Sequence, residues 1–125
     1  MKKLDKKNKA GGGGFQSYNL APSLFKAISA KGYNLPTPIQ RRAIPIILQG
    51  FNVIAMARTG SGKTGAFIIP VVQKLQQHSQ VVGARCVILS PTREIAIQTS
   101  LYFKAMSKNT DLTSCLITGG NDMEN

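Results

Sequence analysis

From Leu20 onward the apolar residues recur at helical spacing: Leu24, Phe25 and Ile28 share a face, Pro22 suits an early helical position, and Gly32 stands where a helix would stop. Thr37 and Pro38 read as the N-cap and first position of a second helix, running through Ile44 toward Leu48, with Pro45 expected to bend it and Gly50 closing the unit. The period then changes. Val53 to Ala57 is a short apolar run ahead of a Gly-rich turn, and Lys63 to about Leu75 is helical in character, interrupted by Pro70. Cys86 to Leu89 is a second β-prone run, Thr92 to about Ser107 a further amphipathic helix, and Leu112 to Thr118 a third strand candidate. This βαβαβ order predicts an α/β fold, a parallel sheet flanked by helices and joined by right-handed crossovers.

Residues 1–14 break the pattern. They hold Lys2, Lys3, Lys6, Lys7 and Lys9 and end in Gly11 to Gly14, a composition that cannot bury a core, so a disordered basic tail is expected there. Such a run serves equally as a nuclear address, a nucleic-acid arm or a solvated tail. Over the whole chain of 125 residues, 16 Lys plus Arg against 5 Asp plus Glu leave a net charge of +11. A partner found by long-range attraction is therefore a polyanion: RNA, DNA or a nucleotide ahead of an anionic membrane surface. No stretch approaches the roughly 20 consecutive apolar residues that span a bilayer, and no apolar signal core follows the lysines, so neither membrane insertion nor secretion is expected. Cys86 and Cys115 lie in apolar runs without ligand spacing and read as buried free thiols, forming neither a disulfide nor a zinc site. The only acids are Asp5, Glu94, Asp111, Asp122 and Glu124, so chemistry by paired carboxylates has few places to reside.

Candidate chemistry concentrates in three segments. Ala57-Arg58-Thr59-Gly60-Ser61-Gly62-Lys63-Thr64 stands between a predicted strand and a predicted helix, as a phosphate-binding loop requires. Backbone N–H groups from Gly60 through Ser61 and Gly62 to Thr64 can converge on phosphate oxygens at the positive end of the helix. Lys63 would neutralise β- and γ-phosphate charge, and the Thr64 hydroxyl would ligate Mg²⁺. The general pattern has Gly where this sequence has Ala57. Upstream, Tyr33 precedes Gln40: a side-chain amide matches the N6 and N7 edge of adenine, and an aromatic ring can stack on the base, although each residue also has an ordinary structural use. Downstream, Pro91-Thr92-Arg93-Glu94 follows the second strand, where Arg93 and the helix N-terminus can meet nucleic-acid phosphate. Capping by Thr92 and dipole pairing by Glu94 explain the same residues without a ligand. Gly119-Gly120 after the third strand permits close approach of a backbone, or is simply a turn. His78, Met56 and Cys115 read as structural.

Together these segments resemble the DEAD-box RNA helicases. Gly32-Tyr33-Asn34-Leu35-Pro36-Thr37-Pro38-Ile39-Gln40 is similar to the family's Q motif, residues 57–64 to motif I, Pro91 to Gln98 to motif Ia, and Gly119-Gly120 to the GG element, in the family's order. Phe15 falls where the family carries an isolated upstream aromatic. Ala57 matches the family's form of motif I, while Ile95 replaces its usual Leu. The resemblance covers residues 15–125 and implies the N-terminal portion of a RecA-like P-loop NTPase domain. It implies ATP and Mg²⁺ as cofactors, held by Phe15, Tyr33, Gln40, Gly60, Ser61, Gly62, Lys63 and Thr64, with Lys63 and Thr64 serving catalysis. It implies RNA contact by Thr92, Arg93 and Gly120. Wording around the motifs is similar to the nucleolar branch acting in large-subunit ribosome assembly, which implies ribosomal precursor RNA as partner and a nuclear, nucleolar location.

Parts of the family pattern are missing from these 125 residues: the Asp-Glu-Ala-Asp motif, the Ser-Ala-Thr element and the second RecA-like domain. Residues 6–93 contain Lys6 and Arg93 at their ends and no acid between, so the segment alone is expected neither to hydrolyse ATP nor to unwind RNA. Two other classes stay open at this stage: a stand-alone, non-enzymatic nucleotide- or RNA-binding module, and a different P-loop NTPase such as a small kinase or transport ATPase. With three strands, the chain is also expected to leave an apolar face and a sheet edge exposed.

Overall fold

The computed structural model describes residues 13–120, so nearly all of the expected basic tail lies outside the described residues. A single 3-10 turn, Phe15–Tyr18, opens the described chain and sinks the Phe15 ring into the core. Four helices follow: α1 (Pro22–Ala30), α2 (Pro38–Leu48), α3 (Lys63–Leu75) and α4 (Arg93–Ser107).

Local chemistry fixes each helix end. α1 starts with Pro22 in its first turn, where the missing N–H has no intrahelical acceptor to lose, and the chain leaves it through Gly32 at φ +75°. α2 carries a complete capping box, with Thr37 Oγ1 accepting from the Gln40 N–H at 3.4 Å and Gln40 Oε1 accepting from the Thr37 N–H at 3.0 Å. α4 is capped by Thr92, whose Oγ1 accepts from the Ile95 N–H at 3.3 Å, and Glu94 complements the dipole in its first turn. α3 differs: its N-cap is Gly62, left-handed at φ +88°, with no side-chain cap. Pro45 and Pro70 lie inside α2 and α3, and both helices continue through them.

α3 is the central element, packing against α2, α4 and α1. Its Ile68, Ile69 and Val72 join Leu24 and Ile28 of α1, Ile44 of α2, Phe103 and Met106 of α4, and Phe15, in one buried cluster. Full burial of side chains of this size contributes about 1.5–3 kcal/mol each, so this cluster is the main source of stability. Two polar ties fix the frame: the Ala21 N–H donates to Gln73 Oε1 at 2.7 Å, and Asn109 Nδ2 donates to the Ser23 carbonyl at 3.1 Å.

All four helices lie where hydrophobic spacing places them; the strands do not form. Among the described residues no strand is assigned, and 53–57, 86–89 and 112–118 make no backbone hydrogen bonds with one another. The parallel sheet expected from the sequence is therefore not seen. A helix closes its hydrogen bonds within itself, whereas a strand exists only beside a partner about 4.8 Å away. Here 84–90 and 112–117 both line a cavity of about 940 Å³ and exchange no backbone hydrogen bond. Ile54, Met56, Val82 and Leu89 are at least nine-tenths exposed, the uncovered apolar surface expected of an incomplete sheet. The two cysteines also differ from expectation. Both are free but exposed, because the segments that were to bury them have no neighbour covering them.

Candidate functional site

The start of α3 is the meeting point of three helices. Gly62 is left-handed, and a β-carbon there would lie 2.7 Å from Gln40 Nε2 and 2.9 Å from Thr37 Oγ1, so the first turn of α2 presses directly on the loop. Gly65, one turn on, is as tight: its β-carbon would lie 2.5 Å from the Tyr102 hydroxyl of α4 and 2.7 Å from Gln40 Nε2. Glycine at both positions is what allows the approach.

Gln40 links these parts. It is 4% exposed, and besides closing the capping box it donates from Nε2 to the Gly62 carbonyl at 3.1 Å. An amide carries two N–H groups and two carbonyl lone pairs, so after these bonds one donor and one acceptor remain for a base edge. The segment before it is held by Arg41, whose Nε donates to the Pro36 carbonyl at 3.0 Å.

The loop's own polar groups are arranged for an anion. The first N–H groups of α3 have no intrahelical acceptor, no side chain caps them, and the helix dipole is positive there. The Ser61 hydroxyl is buried without a hydrogen-bond partner. A buried unpaired hydroxyl costs about 1–3 kcal/mol, which an incoming acceptor would relieve. Lys63 Nζ donates to the Ala57 carbonyl and, at 2.8 Å, to the Arg58 carbonyl, so its ammonium is held over the loop by backbone oxygens. These residues fit a polyphosphate. Thr64, second in α3, offers a hard hydroxyl oxygen of the kind that could join phosphate oxygens and water around Mg²⁺. Among the described residues no group of three His, Cys, Asp or Glu side chains gathers to hold a metal ion unaided.

Tyr33, at 38% exposure, stacks on Tyr102 with ring centroids 6.3 Å apart and planes 21° from parallel. Burial, with Tyr33 beside it, raises the Tyr102 phenol well above its ordinary range, so it remains neutral and keeps its proton. Its hydroxyl is buried beside Tyr33 and makes no hydrogen bond of ordinary geometry. Sequence reading missed this residue. Tyr102 stands next to the buried stripe Thr99, Phe103 and Met106, and nothing in helical spacing distinguishes it from core.

The remaining candidates separate into two places. Thr92, Arg93 and Gly119 line a pocket of about 210 Å³ at the start of α4, and a β-carbon on Gly120 would come 3.9 Å from Arg93 Nη1. Phe15, expected at the cofactor, lies in the core at 1% exposure.

Comparison with known proteins places this geometry in a family. The sequence profile described as "DEAD/DEAH box helicase" matches residues 37–125, most of the chain. The chain belongs to the DEAD/DEAH box helicase family. Among its relatives, a protein named ATP-dependent RNA helicase ddx54 from Dictyostelium discoideum is 61% identical over 112 residues, 90% of this chain and 10% of that protein. Another, named ATP-dependent RNA helicase DBP10, from Phaeosphaeria nodorum, is 55% identical over 113 residues, 90% of this chain and 13% of the relative. The chain thus spans a small part of the length of the curated relatives it matches. Among solved structures, a DEAD box protein from the hyperthermophile Methanococcus jannaschii superposes with a TM-score of 0.79 at 38% identity, over 88% of this chain and 30% of that one. The RNA helicase Prp28 from Chaetomium thermophilum, bound to ADP, gives 0.77 at 34%, over 88% of this chain and 28% of that one. The helices of this chain are therefore arranged as in DEAD-box helicase domains.

Proposed function

We propose that this chain is the ATP-binding, RNA-contacting N-terminal segment of an ATP-dependent RNA helicase that remodels ribosomal precursor RNA in the nucleolus. The observation that carries the reading is the convergence of Gln40, Gly62 and Lys63 at the uncapped start of α3, beside the unpartnered Ser61 hydroxyl. Its supports are the ATP-dependent RNA helicase names of the ddx54 and DBP10 relatives and the ADP bound to the structurally similar Prp28. In the whole protein, residues 53–57, 86–89 and 112–118 would be strands of a RecA-like parallel sheet.

The residues divide the work. Gln40 reads the adenine edge with its remaining donor and acceptor, and Tyr33 offers a ring face to the base. Gly60, Ser61 and Gly62 turn their N–H groups toward the phosphates, while Lys63 exchanges its two backbone carbonyls for β- and γ-phosphate oxygens. Thr64 holds Mg²⁺, which when bound neutralises charge developing on the transferred phosphoryl group. Thr92, Arg93 and Gly120 form the platform for RNA backbone. Phe15 contributes as a member of the buried core rather than as an exposed ring. No carboxylate occurs between Lys6 and Arg93, so this segment binds without turnover, and hydrolysis belongs to the longer protein.

Calorimetric titration tests the reading. The chain should bind ATP in preference to GTP, Lys63→Ala should weaken ATP by roughly tenfold or more, the loss of a charge-assisted contact, and Gln40→Ala should narrow the ATP/GTP difference. Equal affinity for the two nucleotides would remove the adenine assignment. An unchanged Lys63→Ala affinity would remove the phosphate loop.

A further inference from the structure

Tyr102 belongs to none of the motifs, yet it touches both halves of the nucleotide site. Its ring stacks on Tyr33 at 6.3 Å, on one face of the ring assigned to the base. Its hydroxyl end reaches the first turn of α3, within 2.5 Å of the point where a Gly65 β-carbon would stand, and Gln40 Nε2 lies 2.7 Å from that same point. One side chain on α4 therefore abuts the aromatic and the phosphate helix, at the glycine that the Gln40 amide also approaches.

We infer that Tyr102 is a positioning residue for adenine recognition, acting through Tyr33. The inference rests on the nucleotide reading of the site given above. Tyr33 sits in the loop between α1 and α2 and is the partly exposed member of the pair, so an unsupported ring there would sample several rotamers. Stacking on Tyr102, itself half-buried on a helix, fixes the ring plane before a base arrives, so less ordering cost is left to binding. The ring of Tyr102 carries this effect rather than its hydroxyl. That hydroxyl is buried beside Tyr33 and makes no hydrogen bond of ordinary geometry, so its replacement by hydrogen leaves the ring stack in place.

Two ligands separate positioning from general support. ATP uses the base site and the phosphate loop, whereas inorganic triphosphate uses the loop alone, so their affinity ratio reports the base site. In calorimetric titrations of the 125-residue chain, Tyr102→Leu should weaken ATP by roughly threefold to tenfold, the scale of one aromatic pair, and leave triphosphate unchanged. Tyr102→Phe should restore ATP binding to within about twofold of the parent chain, since it keeps the stack. If Tyr102 acts through Tyr33, the double variant Tyr33→Leu/Tyr102→Leu should bind ATP no more weakly than Tyr33→Leu alone. Equal loss of ATP and triphosphate in Tyr102→Leu would mean that the residue merely supports the fold, and would overturn the inference. Additive losses in the double variant would overturn it too, as would a ratio that Tyr33→Leu shifts and Tyr102→Leu does not. Should Tyr33→Leu itself leave the ratio unchanged, the adenine assignment of Tyr33 falls and takes this inference with it.

Discussion

Two glycines in one loop, Gly60 and Gly62, have the same backbone demand and different surroundings, and the difference can be measured. Their φ angles are +77° and +88°, both in the left-handed region, where a β-carbon costs about 1–2 kcal/mol. At Gly60 a β-carbon would meet nothing within 4 Å; at Gly62 it would strike Gln40 Nε2, Thr37 Oγ1 and Thr37 Cγ2 at 3.0 Å or less. Neither neighbour can step aside cheaply, because Thr37 and Gln40 hold each other in the capping box and Gln40 also holds the Gly62 carbonyl. Gly60→Ala should therefore lower thermal stability by the strain alone. Gly62→Ala should lower it further, by about another 1–3 kcal/mol of broken hydrogen bonding, and should abolish the preference for ATP over GTP. Melting curves of the two variants side by side check the first part and nucleotide titration the second. Equal destabilisation would mean that the contact between α2 and the loop is slack.

At the scale of elements, the two threonine-capped helices carry different responsibilities. Thr37 caps α2 through the residue assigned to adenine, whereas Thr92 caps α4 through the N–H of Ile95, a residue with no assigned part in nucleotide binding. Loss of either cap costs on the order of 1 kcal/mol. Thr37→Ala should lower both the melting temperature and the ATP affinity, because it frees the Gln40 amide; Thr92→Ala should lower the melting temperature and leave ATP affinity unchanged. Circular dichroism and calorimetry on the same samples distinguish the two. These caps are also why the helices were legible in sequence: Thr37-Pro38, Thr92 with Glu94, and Gly32 announce helix ends by chemistry that acts within a few residues. Strands carry no comparable local signature. The apolar runs at 53–57 and 86–89 are β-prone, but pairing is a property of two segments, and these lack the neighbours that would make them a ladder. Site residues divide the same way. The candidate phosphate loop is a contiguous run of glycines and Lys63 and so stands out in sequence, whereas Tyr102 meets Tyr33 only through the packing of α4 on α3, which helical spacing cannot specify.

At the scale of the whole molecule, two opposed forces act on an unusual surface. Ile54, Met56, Val82, Leu89 and Ile117 are more than four-fifths exposed and lie in unpaired segments, so apolar area and free backbone donors face water together. Such surfaces associate, and unpaired segments invite pairing with a second copy. Against this stands a net charge of +11, which makes every copy repel the next. Repulsion between exposed charges is screened over about 10 Å at 0.1 M salt and about 3 Å at 1 M, while hydrophobic attraction is not weakened by salt. Association of the chain should therefore increase with ionic strength. In sedimentation velocity at fixed protein concentration, the chain should move as a monomer in dilute buffer and shift to larger species as salt approaches 1 M. Short single-stranded RNA should show the reverse dependence, binding best in dilute buffer and being released as counterions compete. A chain that stays monomeric across the whole range, with a single sharp melting transition, would mean that its apolar segments cover one another in solution. Association that falls as salt rises would mean instead that the contacts between copies are ionic, made by the five acids against the abundant Lys and Arg.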